Sequence, residues 1–371
     1  MDTRTVVISD PASDNEPIQE AGAALADGRL VVFPTETVYG LGASAVRPKA
    51  VEALSRLKER DAAKPFTLHL SAASETEAYT GPLPTVARRL VRKTWPGPLT
   101  LIVPDRRPPD RRRPDLVETA VYRDGTVGLR CPNHPVASAI LASAGVPVVA
   151  TSANLRGHPP PHKAADALAH LRNRVALVVD AGPTPLAAPS TVVRVRADDT
   201  YEVLREGAIA AHRIGRLVRT SILFVCTGNI CRSPMAAGLT SRRLAETLGC
   251  RPEEVPDHGI NVGSVGTGAA AGGGPSENAV LAASRRGADI RAHRTRPMTV
   301  DALRAADYIW VMTRGHRDAV IRMAPEVTPR VALLDPAGED IADPIGGDLD
   351  RYRGCARRLD DALAERLQEI V

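Results

Sequence analysis

Cys226 and Arg232 are separated by five intervening residues in the run CTGNICRSP, which follows the apolar stretch Ser221–Val225 and leads into a helical pattern at Pro234. A short loop between a strand and a helix start points successive backbone N–H groups at one spot, and the helix dipole reinforces their field. A phosphoryl group fits that spot. The same field favours a thiolate, because a thiol with an ordinary pKa of about 8.5 falls to roughly 3.5–7.5 beside helix N-termini and cations. Cys226 is then a nucleophile at neutral pH, and Arg232 can grip two phosphate oxygens with its planar fork as charge shifts during transfer. Gly228 allows a backbone turn that a side chain would obstruct. Ser233 is placed to cap the helix and to hydrogen-bond the sulfur when it leaves. Thr227, Asn229 and Ile230 complete the loop. Cys231 is either a packing thiol or a partner that protects Cys226 through a reversible disulfide. The chemistry is phosphoester cleavage through a phosphocysteine.

Such cleavage needs an acid for the leaving oxygen. Asp335 and Asp343 each precede a proline, and spacing does not choose between them. The pair Gly346-Gly347 after the second suits a loop that folds over a site, so Asp343 is preferred. A different chemistry is suggested upstream. PTETVYGLG at Pro34–Gly42 gathers three hydroxyls and a carboxylate in a tight turn. Lys58 and Arg60 stand two apart with Lys64 close behind, where a polyphosphate fits. TSAN at Thr151–Asn154 ends an apolar strand, which is where open α/β sheets bind ligands. Arg205 in REG adds another cation. His158 and His162 in HPPPH lack an evident third ligand, so no metal site is assigned.

These groups need scaffolds. The first half alternates valine-rich runs with helical patterns, the signature of an α/β domain. Strands are expected at Leu30–Phe33, Phe66–Leu70, Leu99–Val103, Thr126–Arg130, Val148–Thr151, Leu177–Asp180 and Thr191–Arg196. The spacing predicts helices over Ile18–Asp27, Pro48–Lys58, Thr85–Thr94, His134–Ser143 and Ala164–Leu171. PDRRPPDRRRPD at Pro104–Asp115 reads as an exposed loop. The pattern lapses into a basic stretch after Gly207, and a new strand opens at Ser221. The expected organisation is therefore residues 1–207, a linker at 208–220, and a small doubly wound parallel-sheet domain at 221–371.

At 371 residues, two domains are the natural division. The chain is 43% hydrophobic and 25% charged. No apolar run approaches the roughly 20 residues that cross a bilayer, and Met1–Glu20 does not read as a secretory signal. Five scattered cysteines fit a reduced compartment, so a cytoplasmic location is expected. The net charge of +5 suits phosphate-bearing substrates or RNA.

VCTGNICRSPMA, VGSVGT at Val262–Thr267 and ADPIGG at Ala342–Gly347 resemble the low-molecular-weight protein tyrosine phosphatase family over essentially all of Ser221–Val371. The resemblance implies Cys226 as nucleophile, Arg232 as phosphate clamp, Asp343 as acid and then base, Asn229 and Ser233 as loop organisers, and no metal. Ile345 stands where phosphotyrosine-directed members usually carry an aromatic residue, and the Asp-Pro-x-Gly-Gly form is similar to the branch that includes protein arginine phosphatases. Ile230, however, is the residue of tyrosine-directed members. Phosphotyrosine is the expected substrate and phosphoarginine the alternative, each on a phosphoprotein.

PTETVYGLG, KER followed by KPFTLH, WPGPLT, VGLRCPNHP, TSAN, STVV and LREGAI occur in the order seen in the YrdC-like threonylcarbamoyl-adenylate synthases, from about Ile18 to Ile209. The resemblance implies a twisted open α/β sheet and the condensation of L-threonine, bicarbonate and ATP with Mg²⁺, serving N6-threonylcarbamoyladenosine in tRNA, with tRNA or its modification proteins as partners. It places Lys58, Arg60, Thr126, Ser152, Asn154 and Arg205 near the nucleotide, and Thr35, His69, Arg130 and Ser190 around threonine. Asp61 stands where a proline is usual, beside the expected phosphate site. The other reading of this half is an RNA- or nucleotide-binding module without synthase activity, using the basic loop Arg106–Arg113; aromatic residues for base stacking are few.

Overall fold

The computed structural model describes every residue except 1, 60–63, 109, 111–112 and 370–371. The chain divides into two compact units, Met1–Val218 and Arg219–Val371.

In the first unit the strands are β1 (Arg4–Val7), β2 (Val31–Phe33), β3 (Gly40–Ser44), β4 (Thr67–His69), β5 (Leu99–Pro104), β6 (Tyr122–Arg123), β7 (Thr126–Arg130), β8 (Val148–Ser152), β9 (Leu177–Asp180), β10 (Thr191–Val195) and β11 (Tyr201–Arg205). They form one mixed sheet in the order β1-β9-β2-β3-β8-β4-β7-β5-β10-β11, with β6 paired to β7. Side chains alternate across a strand. Leu68, Leu101, Val103, Val127, Leu129, Val193 and Val195 therefore enter one buried core. Their neighbours in sequence, His69, Thr100, Ile102, Thr126, Gly128, Arg130, Val192 and Arg194, line a cavity.

Besides the two-residue β6, three strands were not expected. In β1 only Val6 is buried, and β11 is an exposed edge, so neither carries a hydrophobic signature. β3 extends what reads as a tight turn. Its glycines let the backbone lie against Phe33: a Cβ at Gly42 would come within 2.8 Å of that ring. The expected linker 208–220 needs correcting as well. Ala211–Leu217 is a helix whose Ile214 is buried in the first core. Arg89 Nη1 donates to Val218 O at 2.8 Å and Lys93 Nζ to Leu217 O at 3.0 Å, satisfying carbonyls at the helix C-terminus.

The second unit is a four-stranded, all-parallel sheet ordered β13-β12-β14-β15, with β12 (Thr220–Cys226), β13 (Ile260–Gly266), β14 (Tyr308–Val311) and β15 (Val331–Leu333). Ile222 and Phe224 face a core shared with the helices Arg232–Leu248, Glu277–Ser284 and Leu349–Arg366. Leu223 and Val225 face the other way, against the helices Val300–Ala305 and Arg314–Met323. β12 is thus central and covered on both sides, and its last residue is Cys226. Among the described residues no helix is long and apolar enough to cross a membrane.

Candidate active sites

Strand alternation and loop ends build a cavity of about 470 Å³ in the first unit. Seven of the ten expected residues line it: Thr35, His69, Thr126, Arg130, Ser152, Ser190 and Arg205. Lys58 and Asn154 stand behind Ser152. Lys58 Nζ donates to Ser152 O at 2.9 Å and to the main-chain oxygen of Asn154, and Ser152 Oγ donates to Asn154 Oδ1 at 2.5 Å. Arg60, with Asp61, lies outside the described residues.

At the deep corner Arg130 Nη2 donates to Glu36 Oε1 at 3.0 Å and to Thr37 Oγ1 at 2.6 Å. Arg130 Nε and Glu36 Oε2 are buried without a partner among the described groups, so polar capacity is held in reserve there. Thr35 Oγ1 donates to Val38 O at 2.6 Å. The His69 pKa is pushed down to about 3, by burial first and by the Arg130 charge second, so this imidazole is neutral at neutral pH. Arg205 Nη2 donates to Ser190 O at 2.8 Å, and Ser190 Oγ meets Thr100 Oγ1 at 2.9 Å. Burial and then the Arg130 charge lower the Arg205 pKa, which marks two guanidiniums sharing one cavity. Lys64, Arg123 and Arg194 also line it, against a single lining carboxylate among the described residues, Asp124. A pocket so charged takes an anion.

In the second unit Asn229 has φ +54°, a left-handed conformation that Asn tolerates. Its Nδ2 donates to Ser233 Oγ and to Ser264 Oγ, both at 2.9 Å, and its Oδ1 accepts from Arg296 N at 2.8 Å. His293 Nε2 lies 2.8 Å from Asn229 O. Ser233 Oγ lies 3.0 Å from Cys226 Sγ and also reaches Val265 O at 3.5 Å, and Asn229 N donates to the same sulfur at 3.3 Å. Ser233 is not the helix cap. The helix begins at Arg232 after Cys231, which puts Ser233 in its first turn. Thr227 Oγ1 meets His316 Nε2 at 2.9 Å; burial first, then Arg232, lowers the His316 pKa to about 4.

Buried Arg232 donates from Nη1 to Ile341 O at 3.0 Å and from Nη2 to Asp343 Oδ2 at 2.5 Å, while its Nε has no partner among the described groups. Asp335 is engaged elsewhere, by Arg358 Nη2 at 2.9 Å. Cys231 Sγ lies 3.2 Å from Tyr352 Oη and 3.3 Å from Ser276 Oγ. The His158 and His170 rings meet in a tilted contact, 4.3 Å between centroids, and no group of three or more His, Cys, Asp or Glu suited to a metal occurs among the described residues.

The Sua5, YciO and YrdC family model, described as telomere recombination, matches residues 23–207, and that of the low molecular weight phosphotyrosine protein phosphatases matches 221–371. A threonylcarbamoyl-AMP synthase of Chromohalobacter salexigens is 34% identical over 183 residues, which are 49% of this chain and 95% of that protein. The chain belongs to the Sua5/YrdC family and carries a low molecular weight phosphatase domain. A Bacillus subtilis threonylcarbamoyl-AMP synthase is 41% identical over 57% of this chain, which spans 60% of that relative's length. For the phosphatase domain, the solved structure of the YwlE arginine phosphatase from Geobacillus stearothermophilus is 34% identical, covering 40% of this chain and 94% of its own, with a TM-score of 0.35.

In the Sua5/YrdC half, sequence reading missed Thr100, Arg123 and Arg194 as cavity residues. Arg194 interrupts the valine alternation of β10 on the side that also presents Ser190 and Val192, a signal legible once that strand's cavity face is known. Arg123 sits in a short hairpin that carries no comparable signal.

Proposed function

We propose that the chain carries two enzymes. The first half condenses L-threonine, bicarbonate and ATP into threonylcarbamoyl-AMP and pyrophosphate, the activated carbamate for tRNA N6-threonylcarbamoyladenosine. The observation that carries this reading is the single cationic cavity in which seven of the ten expected residues meet. Arg130 would hold the threonine carboxylate, with Thr35, neutral His69 and Ser190 around the rest of the amino acid. Lys58, Arg60, Lys64 and Ser152 would steady the polyphosphate, and Thr126, Asn154 and Arg205 the remainder of the nucleotide. The threonine carbamate oxygen attacks the α-phosphorus as the bond to pyrophosphate breaks, so positioning and charge are what the protein supplies. Mg²⁺ enters as part of the MgATP substrate, held chiefly by phosphate oxygens. The test is pyrophosphate release from ATP by the full-length protein. Release must need both threonine and bicarbonate and be lost in Lys58→Ala and Ser152→Ala; release indifferent to threonine rejects the reading, and no release leaves a nucleotide- or RNA-binding module.

The second half hydrolyses phosphotyrosine on proteins. Its support is the convergence of Cys226, Ser233, Arg232 and Asp343 at the end of β12. Cys226 Sγ attacks phosphorus as the ester P–O bond breaks, and Asp343 passes its proton to the leaving oxygen. Water then attacks the phosphocysteine, Asp343 takes the proton, and Ser233 stabilises the departing thiolate. Arg232, with Nε in reserve, follows the phosphate oxygens through both steps. The aliphatic side chains of Ile230 and exposed Ile345 suit an aromatic ring. Phosphoarginine is the second reading, favoured by the Gly346-Gly347 pair after Asp343-Pro344. Comparing kcat/KM on a phosphotyrosine and a phosphoarginine peptide decides, and faster phosphoarginine hydrolysis overturns the first. The proposed substrates of both halves, and the tRNA or modification proteins that would receive the adenylate, support a cytoplasmic location.

A further inference from the structure

The loop bearing Asp343 is tied down by polar contacts. Gly347 N donates to Pro344 O at 2.9 Å, and Gly346 has φ +75°, closing a turn whose third residue glycine accepts without strain. Asn278 Nδ2 reaches Gly347 O at 3.4 Å. Arg351, in the first turn of the helix Leu349–Arg366, donates from Nη2 to the main-chain oxygen of Asp343 itself at 3.1 Å. Its stem leaves no room at Gly347, where a Cβ would come within 2.5 Å of Arg351 Cδ and 3.1 Å of its Cβ. The backbone of Arg351 is fixed too, since its N donates to the helix-capping Asp348 Oδ1 at 2.9 Å. Behind the loop is a cavity of about 190 Å³ lined by Ile341, Ala342, Pro344, Arg351 and Cys355 among others. Ile341 anchors the start of the loop in the core, and past it the polar ties hold the segment.

We propose that Arg351 is the positioning residue for Asp343, setting where the carboxyl stands when a leaving oxygen needs its proton. The inference rests on reading Asp343 as the proton donor. In the step served, the S–P bond forms at Cys226, the P–O ester bond breaks, and the Asp343 proton goes to the released oxygen. Nothing passes through Arg351, which acts on backbone alone. No feature of the sequence pattern marks it, because arginines are frequent throughout the chain and this one stands on an exposed helix turn.

The test uses the full-length protein with Arg351→Met, which keeps the stem against Gly347 and removes the donor, and Arg351→Lys, which keeps a donor. kcat/KM is measured on phenyl phosphate, whose leaving group needs a proton, and on 2,4-dinitrophenyl phosphate, whose leaving group does not, with Asp343→Asn as reference. Loss of acid alignment should cost Arg351→Met about 10-fold on phenyl phosphate, part of the 10²–10⁴ that general acids supply, and under about twofold on the dinitrophenyl ester. Arg351→Lys should recover most of the loss. Equal losses on both esters, or none on phenyl phosphate, overturn the proposal. If wild type cleaves both esters but Asp343→Asn loses no more on phenyl phosphate than on the other, the proton-donor reading fails and takes the proposal with it. A wild type that cleaves neither rejects the phosphatase reading itself.

Discussion

Asp335 and Asp343 are each followed by proline, and their partners separate them. Asp335 is held by Arg358, whereas Asp343 lies against the buried guanidinium of Arg232. Asp343→Asn should therefore lower kcat/KM on an aryl phosphate with a poor leaving group by about 10²–10⁴, and Asp335→Asn should leave it within about twofold. A large loss in the second variant would exchange the two roles. The sequence left this choice to a pair of glycines because the partners come from distant parts of the chain: Arg232 precedes Asp343 by 111 residues. Cys226, Asn229, Arg232 and Ser233 were legible because one loop and one helix start position them all. Arg123 and Arg194 were not, because they reach the cavity only through sheet pairing.

Among the elements, three helices of the phosphatase unit meet at one carboxylate. Asp360 accepts from Arg242 and Arg243 on the helix Arg232–Leu248 and from Arg286 just past the helix Glu277–Ser284. Asp360→Ala leaves three clustered guanidiniums. Because they are partly exposed, the expected cost is about 2–3 kcal/mol, below the roughly 3–5 for breaking a fully buried pair. Urea unfolding of the variant checks it, and a change under about 0.5 kcal/mol would show the cluster to be ornamental to stability. Burial works against the Asp360 charge, but the arginine hydrogen bonds prevail and its pKa is lowered. Strands and helices with strong period-two or amphipathic patterns lay within a few residues of expectation. β1, β3 and β11 escaped because an edge strand needs no buried face and glycine conceals a strand that lies against an aromatic ring.

At the scale of the molecule, each unit has its own cores, and the helix 211–217 belongs to the first. Residues 1–218 and 219–371 made separately should each fold cooperatively, the second keeping the aryl phosphatase activity of the whole chain within about threefold. A fragment ending at 207 loses Ile214 from its core and should melt lower than one ending at 218. Acid should weaken both units. Burial lowers His69 to about 3 and His316 to about 4, so between about pH 6.5 and 4 the unfolded chain binds more protons than the folded one. Stability therefore falls with pH across that window, and melting temperatures at pH 7, 6 and 5 should descend; a flat profile would contradict the burial of both rings. The sheet orders also differ in when they can be completed. β1 lies beside β9, and Thr3 Oγ1 reaches Val175 O, 172 residues later. On the ribosome the first sheet cannot close until nearly all of its unit has emerged. The second sheet begins with its central strand, β12, and can grow outward as β13 and then β14 arrive. Synthesis thus asks the leading half to wait and lets the trailing half assemble as it appears.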